Sequence, residues 1–277
     1  MSCALFIFAA GHKLMSKKQN VSGILNIDKP KGLTSHDVVA QVRRLSRQRR
    51  VGHAGTLDPM ATGVLLVCLG QATRLIEYLM QSQKQYRAVI RFGITTNTLD
   101  AEGEVTAVRD ASGLTEADIR RVLPDFLGQI EQIPPAFSAI KQGGKPLYRL
   151  ARAGQPVEVP PRQVVIESLE WVDWSPPDLT LDVTCSPGTY IRSLARDLGD
   201  ALGVGAHLAG LTRTASGSWT LAEAVSLDTL HAAADRSPEG WRQYLQTPDR
   251  AVAHLPAVRL DADTARRVRH GQQVDLP

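Results

Sequence analysis

The sequence has little cysteine and few aromatic residues. Its 277 residues contain three cysteines, and aromatic residues make up 5%. An odd number of widely spaced cysteines without a C-x-x-C pair excludes a disulfide framework and a zinc ribbon. We therefore expect a reducing, cytoplasmic setting. No stretch approaches the ~20 consecutive apolar residues of a membrane span, so no membrane partner is expected.

Motifs for nucleotide cofactors and metals are missing as well. The sequence contains no G-x-x-x-x-G-K-[ST], and no G-x-G-x-x-G follows a predicted strand. The seven histidines show no H-x-x-x-H spacing, and the chain has no Cys/His cluster. We predict neither a metal nor a cofactor.

Positive charge is concentrated near the N-terminus. The formal net charge is only +4, but residues 1–58 hold ten basic and three acidic side chains. Such asymmetry indicates a polyanionic partner that touches this part of the fold.

The first predicted elements are a strand and a basic helix. Residues 23–29 alternate apolar and polar, which predicts a strand. Thr34, with Asp37 three residues later, is a capping-box variant that predicts a helix start. One arc of this helix is apolar, and the arc roughly opposite carries Arg43, Arg44, Arg47 and Arg50.

The rest of the chain mixes helices and strands without regular alternation. The patterns predict helices over 71–81, 115–127 and 193–202, a short helix within 222–233, and strands over 86–93, 164–172 and 179–184. This order favours an α+β fold with a central mixed or antiparallel sheet flanked by helices and loops. The Gly/Pro-rich residues 128–161 are typical of a functional loop.

The two ends of the chain differ from its middle. We expect residues 1–22 to be a disordered extension, with the natural start possible at Met15. From residue 256 a predicted strand (257–260), a helix (262–269) and a turn resemble the opening of a new unit, too short to bury a core of its own.

A glycine-bracketed loop follows the basic helix. It runs Gly52-His53-Ala54-Gly55-Thr56-Leu57-Asp58-Pro59-Met60-Ala61-Thr62-Gly63. Asp58 could simply cap a helical turn that begins at Pro59, and His53 could be an exposed loop residue. However, glycines allow a backbone to approach a ligand closely, and a carboxylate near arginines would stay ionised, as a nucleophile or base requires.

At this point the sequence resembles the TruB family of bacterial tRNA pseudouridine synthases. The resemblance rests on an ordered set of segments across residues 23–250, which begins with 23–35 and 52–65. It continues through Lys84-Gln85-Tyr86-Arg87, Gln132-Ile133-Pro134-Pro135, Ser138-Ala139-Ile140-Lys141, Cys185–Leu194, Gly205-Ala206-His207-Leu208 and Leu211-Thr212-Arg213-Thr214.

The resemblance implies a pseudouridine synthase fold and an isomerase that converts uridine 55 in the T-arm loop of tRNA to pseudouridine. The base leaves its sugar at N1, is flipped and turned, and rejoins through C5. This rearrangement gains and loses no atoms and involves no redox change, so it requires no cofactor or metal. We expect tRNA, through its T-arm stem-loop, as the partner of a monomeric enzyme.

The same resemblance assigns site residues. Asp58 matches the catalytic aspartate, either as nucleophile at C1′ or as the base that removes a sugar proton. Arg192 matches the arginine that pairs with it, which should lower the carboxylate pKa. Tyr86 matches the tyrosine stacked on the target base, Leu211 the apolar residue on the base's other side, and Lys29 a support of the loop.

Further residues are expected to contact RNA. His53 matches the histidine that fills the space of the flipped base, and the arginine face of the helix would follow the tRNA backbone. Residues 134–154 match an insertion that closes on the RNA, with Lys141, Lys145 and Arg149 as phosphate contacts.

The resemblance divides the chain into an extension (1–22), a catalytic domain (23–251) and an incomplete C-terminal PUA-like RNA-binding unit (252–277). Two alternatives stay open. One is a non-catalytic RNA-binding protein on the same scaffold, which would not require Asp58, Tyr86 and Arg192 together. The other is a pseudouridine synthase of different specificity, such as one acting on rRNA.

Overall fold

The structure, a computed structural model, describes residues 21–138, 141–142, 145–146 and 159–275. Its strands are β1 (Gly23–Lys29), β2 (Val51–His53), β3 (Thr62–Leu69), β4 (Lys84–Phe92), β5 (Ile94–Thr96), β6 (Val105–Val108), β7 (Gly128–Gln132), β8 (Lys141–Gln142), β9 (Lys145–Pro146), β10 (Arg162–Ser175), β11 (Asp178–Cys185), β12 (Ala206–Ser216), β13 (Trp219–Thr220) and β14 (Val225–Ser226). Its α-helices are α1 (Ser35–Ser46), α2 (Ile76–Met80), α3 (Glu116–Val122), α4 (Ile191–Ala201), α5 (Leu227–Arg236) and α6 (Ala262–Arg269). Short 3₁₀ helices cover Gly70–Leu75, Leu123–Phe126, Leu221–Glu223, Gly240–Tyr244 and Pro248–Val252.

A 10-stranded mixed sheet forms the centre of the fold. Its main order is β14-β1-β3-β12-β4-β11-β10-β7, with β2 beside β3 and β13 beside β12. The β1/β14 and β3/β12 pairs are parallel, and the other neighbours are antiparallel. The predicted α+β class with a mixed sheet and flanking helices is therefore confirmed.

The sheet is buried on both faces where β1 and β3 run. Leu25 and Ile27 of β1 belong to a large apolar cluster that includes residues of α1 and α4. Ile24 of the same strand lies in a second cluster with Leu66 and Trp219. Because side chains alternate along a strand, β1 and β3 separate these two cores. This double burial fixes the strand ends from which the site loops emerge.

Local sequence determines how α1 begins and ends. The Thr34 hydroxyl accepts a hydrogen bond from the Asp37 amide, and the Asp37 carboxylate accepts one from the Thr34 amide at 2.9 Å, so the predicted capping box is present. The helix ends at Ser46 because Arg47 adopts a left-handed conformation, with φ 53°. Arg47 and Arg50 therefore lie beyond the helix, which corrects the prediction that one helix face carries all four arginines.

Several predicted boundaries also differ from the structure. The helix expected over 71–81 is a 3₁₀ segment followed by α2. The helix expected over 115–127 leaves the α form after Val122, near Pro124, whose ring lacks the amide donor and restricts the preceding residue. The strand expected over 257–260 is wrong, because that segment has no regular secondary structure, whereas α6 matches its predicted bounds.

Parts of the predicted organisation lie outside the described residues. These parts are 1–20 of the N-terminal extension and most of the insertion 134–154. The domain boundaries stay predictions. Among the helices in the described ranges, none is both long enough and apolar enough to span a bilayer.

Candidate active site

The loop that carries Asp58 connects two neighbouring strands. β2 pairs with β3 up to His53, opposite Val67, and the chain then crosses to the start of β3. Within the loop, Leu57 is 3% exposed and packs in the main core. The Ala61 amide donates to the Asp58 carbonyl at 3.0 Å, which closes a single turn. Asp58 thus precedes a single turn, as its Asp-Pro sequence allows.

Asp58 forms an ion pair with Arg192. The Arg192 Nε atom lies 3.0 Å from Asp58 Oδ2, and Nη2 donates to Oδ1 at 3.3 Å. Arg192 is the second residue of α4 and is 5% exposed, whereas the Asp58 side chain is 36% exposed. A cation is unfavourable at a helix N-terminus, and this carboxylate offsets that cost. The structure brings together the two residues that the sequence pairs.

The same guanidinium holds a second carboxylate, which sequence reasoning missed. Arg192 Nη1 lies 3.3 Å from Asp100 Oδ2, and the Asp100 side chain is 6% exposed. Nη1 also donates to the Thr98 carbonyl at 3.0 Å, and Nη2 to the Phe137 carbonyl at 2.9 Å. Close to Asp100 in the chain, Thr98 Oγ1 donates to Asp100 Oδ1 at 2.6 Å.

The pKa of Asp58 is raised above the ordinary value of 3.8. Burial is the largest cause, and the negative charge of Asp100 adds to it, while Arg192 and Lys29 oppose it. Arg192 lowers this pKa as expected, but it does not bring the net value below that of an ordinary aspartate. Removal from water outweighs the ion pair.

Tyr86 lies against Arg213, a second residue missed by sequence reasoning although its motif was identified. Tyr86 of β4 is 9% exposed and pairs in register with Arg213 of β12, which is 1% exposed. Arg213 Nε donates to the Val64 carbonyl at 2.6 Å, and Nη2 to the Gly55 carbonyl at 3.2 Å. Burial raises the pKa of Tyr86, and the nearby Arg213 opposes that rise, so the phenol is neutral at physiological pH.

A glycine allows Arg213 to sit so close to β3. Gly63 has φ +94°, and a Cβ atom built on it would lie 2.3 Å from the Arg213 carbonyl oxygen. Any side chain would separate β3 from β12 at this point. The register then places Leu211 opposite Ala88 and Arg213 opposite Tyr86, so half-buried Leu211 shares a sheet face with Tyr86.

Lys29 lies beneath the loop. Its side chain is fully buried, and Nζ donates to the carbonyls of Pro30 at 2.9 Å and Pro59 at 3.3 Å. Burial lowers the Lys29 pKa to about 8, although Asp58 and Glu102 oppose the shift.

His53 is held as a neutral imidazole. Burial, the neighbouring His36 and Arg213 lower its pKa to about 4. The His53 and His36 rings meet edge to face with centroids 5.3 Å apart. The buried Nδ1 atom of His53 has no hydrogen-bond partner within the described part of the chain.

The four arginines proposed for RNA contact fall into two groups. Arg43 donates to the Val51 carbonyl at 2.7 Å, and Arg50 donates to Thr73 Oγ1 at 2.6 Å, so both support the fold. Arg44 and Arg47 are exposed, and neither side chain has a hydrogen-bond or ion-pair partner in the described ranges. None of the four is paired with Asp58, whose cation comes from α4 instead.

The predicted contacts of the insertion are only partly covered. Lys141 lies in β8 and Lys145 in β9, two strands that pair antiparallel and of which only the backbone is described. Arg149 lies outside the described residues. No group of three or more His, Cys, Asp or Glu that could hold a metal ion occurs in the described part of the chain.

Comparisons with known proteins agree on one family. A model of the N-terminal domain of the TruB family pseudouridylate synthases matches residues 43–191, and a model of the tRNA pseudouridylate synthase B C-terminal domain matches 192–253. The chain is 52% identical over 261 residues to the tRNA pseudouridine synthase B of Synechocystis sp., covering 92% of this chain and 86% of that one. It is 46% identical to the protein of that name from Pseudomonas aeruginosa, covering 94% and 86%.

Solved structures show the same architecture. A chain in the crystal structure of a Cbf5-Nop10-Gar1 complex superimposes with a TM-score of 0.71 at 32% identity, over 90% of this chain and 67% of that chain. A chain in a structure of an H/ACA RNP bound to a substrate RNA containing 2′-deoxyuridine gives a TM-score of 0.69 at 29% identity, over 91% and 67%.

Proposed function

Since the chain belongs to the TruB family of pseudouridylate synthases and is a tRNA-modifying isomerase, we propose that it converts uridine 55 of the T-arm loop, with Asp58 as the catalytic carboxylate. The observation that carries the proposal is the Asp58–Arg192 pair. The arginine is buried and fully engaged, while the carboxylate keeps a face open to a ligand. A carboxylate held in this way can be aimed at a ribose.

The reaction needs little from the protein beyond placement and charge. The N1–C1′ bond breaks, the uracil turns, a C5–C1′ bond forms, the hydrogen at C5 leaves to water, and N1 gains a proton. The ionised Asp58 would act at the sugar, as a nucleophile at C1′ or as a base. Both roles require the same unprotonated oxygen, and Arg192 favours that charge state.

The neighbouring side chains suit a flipped base. Neutral Tyr86 and half-buried Leu211 share one sheet face and offer an aromatic ring and an apolar side chain for the two faces of the uracil. Neutral His53 on the loop is flat enough to occupy the space that the base leaves in the RNA. Arg44 and Arg47 would contact phosphates.

We propose a monomeric enzyme, because Asp58 and Arg192 belong to the same chain and their pairing needs no second copy. Its substrate would be the T-arm stem-loop, with further contacts from the insertion that contains Lys141, Lys145 and Arg149. We propose that residues 252–277 belong to an additional RNA-binding unit of the PUA type, because α6 presents basic residues in its last turn.

Tritium release from uridine C5 tests the proposal. T-arm stem-loops would carry [5-³H]uridine either at position 55 only or at another loop uridine only. We expect release from the first RNA, none from the second, and none from either with Asp58→Asn. Asp182→Asn is the matched control, because Asp182 pairs with Arg87 in an exposed salt bridge.

Release by the Asp58→Asn variant would contradict the catalytic role of Asp58. Release from the second RNA would contradict the choice of position 55. The two parts of the proposal therefore fail separately.

A further inference from the structure

The backbone of the Asp58 loop is held at every second residue. Arg213 donates to the Gly55 carbonyl at 3.2 Å, and Lys29 Nζ donates to the Pro59 carbonyl at 3.3 Å. Between them, Leu57 is held by the Ser35 hydroxyl. Of the intervening residues, Thr56 is exposed and Asp58 is half-buried, with its carboxylate bound to Arg192.

Ser35 makes the central contact, and it does so twice. Its Oγ accepts from the Leu57 amide at 2.9 Å and donates to the Leu57 carbonyl at 3.1 Å. Ser35 is 1% exposed and Leu57 is 3% exposed, so water is excluded from both groups. A hydroxyl is suited to this place because it is at once a donor and an acceptor.

Ser35 is not needed as a helix cap. Thr34 caps α1 and satisfies the Asp37 amide, while Ser35 is the first helical residue. The Ser35 hydroxyl therefore forms its hydrogen bonds with the loop and not with its own helix. Thr34 thus caps the helix, and the adjacent Ser35 contacts the loop.

We propose that Ser35 is a positioning residue that sets the orientation of Asp58 through the peptide group of Leu57. The proposal rests on the catalytic role proposed for Asp58. Leu57 and Asp58 share a peptide bond, so fixing the Leu57 carbonyl fixes the plane from which the Asp58 backbone starts. Arg192 then fixes the far end of the same side chain. The carboxylate is thus held at both ends.

The arrangement also ties catalysis to the basic helix. Ser35 begins α1, and Arg44 and Arg47 lie at its other end. A rigid helix that contacts RNA at one end and the catalytic loop at the other would keep the two in a fixed spatial relation.

Ser35→Ala is the most direct test, because it removes one oxygen atom and adds no bulk. We expect the single-turnover rate of tritium release at saturating T-arm RNA to fall by about 10- to 100-fold, since small misplacement of a reacting group is costly. We expect the Kd for the RNA to stay within about two-fold, because Ser35 is buried and cannot touch RNA. Amide hydrogen exchange should rise in the peptide covering residues 55–60.

Ser226→Ala is the matched control. Ser226 accepts from the Thr229 amide at 3.1 Å as the cap of α5, so its loss removes a comparable hydroxyl without touching the loop. It should lower the melting temperature while leaving the tritium-release rate and the exchange of residues 55–60 unchanged. Ser35→Thr keeps the oxygen and should recover most of the rate and the exchange protection.

An unchanged rate in Ser35→Ala, alongside an inactive Asp58→Asn, would overturn the role of Ser35 alone. An equal loss of rate in Ser35→Ala and Ser226→Ala would also overturn it, since the effect would then follow stability. Full activity of Asp58→Asn would instead overturn the proposed function beneath it.

Discussion

Arg192 and Asp58 form an ion pair whose partners differ sharply in exposure: 5% for the arginine side chain and 36% for the carboxylate. The cation is locked by Asp100 and by the carbonyls of Thr98 and Phe137. The Asp58 carboxylate is bound to Arg192 on one side and exposed on the other. The arginine thus fixes the position of a carboxylate that stays partly exposed.

Arg192→Lys should abolish most activity although it keeps the charge. A lysine has one nitrogen and cannot serve two carboxylates and two carbonyls with the planar geometry of guanidinium. We expect a loss of about 100-fold or more in the tritium-release rate. Arg120→Lys on the exposed face of α3, where Arg120 pairs with Glu116, is the control and should be fully active. Comparable rates for both variants would argue against this role of Arg192.

On the acid side, the reaction rate should begin to fall at a higher pH than the ordinary pKa of an aspartate would give. The pKa of Asp58 is raised by burial, and the role proposed for Asp58 needs its ionised form, so activity should fall as pH drops through that raised pKa. Asp100→Asn removes a negative charge that contributes to the rise, so its acid limb should move to lower pH. Single-turnover rates measured from about pH 4 to 8 would show this. A shift to higher pH in Asp100→Asn would refute it.

Lys29 should leave a signature in stability at alkaline pH. Its folded pKa of about 8 lies below the ordinary 10.5, so between these values the unfolded chain binds more protons than the folded chain. The contribution of Lys29 to the free energy of unfolding therefore rises with pH between about 8 and 10.5. Below about pH 8 the buried lysine is charged, and the full cost of burying that charge applies. We expect the free energy of unfolding of the wild type to rise relative to that of Lys29→Met from about pH 8 to 10.5, measured by urea denaturation. A pH-independent difference would contradict the shifted pKa.

The free arginines at the end of α1 should control RNA affinity. Arg44→Ala with Arg47→Ala should weaken T-arm binding and reduce the slope of log K against log salt by about two, because two phosphates would no longer be neutralised. Arg120→Ala with Arg121→Ala removes the same charge from α3, where both arginines have acidic partners. That control should leave the slope unchanged. Equal slopes for the two double variants would mean that the α1 arginines are merely solvated.

The cysteines of the core should be inert in the folded protein. Burial raises the pKa of Cys68 to about 12 and of Cys185 to about 11, so almost no thiolate exists at pH 8. Alkylation followed by mass spectrometry should label both only after denaturation. Rapid labelling of either residue in the native protein would show that its strand opens.

Sequence patterns predicted what local physics determines. The capping box of Thr34 and Asp37 and the strand β1 are predicted from residues close together in the chain, and both are present. The end of α1 depends on the left-handed conformation of Arg47, which periodicity does not reveal. The strand predicted over 257–260 is absent. A strand needs a neighbouring strand to pair with, and an alternating pattern does not show whether one is present.

The site was predictable only as far as the family motifs reached. Asp58, Arg192 and Tyr86 were identified by resemblance, and the roles assigned to them stay predictions. Asp100 and Arg213 were missed because their importance comes from contacts across the fold: Arg192 with Asp100, and Arg213 with the Gly55 carbonyl. Buried charges of this kind are recognisable from sequence only when their partners are already known.

The separation of the paired groups along the chain has a consequence for biosynthesis. Asp58 and Arg192 are 134 positions apart, and Arg213 is 158 positions from the Gly55 carbonyl that it holds. A growing chain that has been synthesised as far as α3 already contains Asp58 but still lacks Arg192 and Arg213. We therefore expect nascent chains to be unable to modify RNA until β12 has been synthesised. During refolding, the recovery of activity would indicate when the C-terminal half has packed against the rest of the chain.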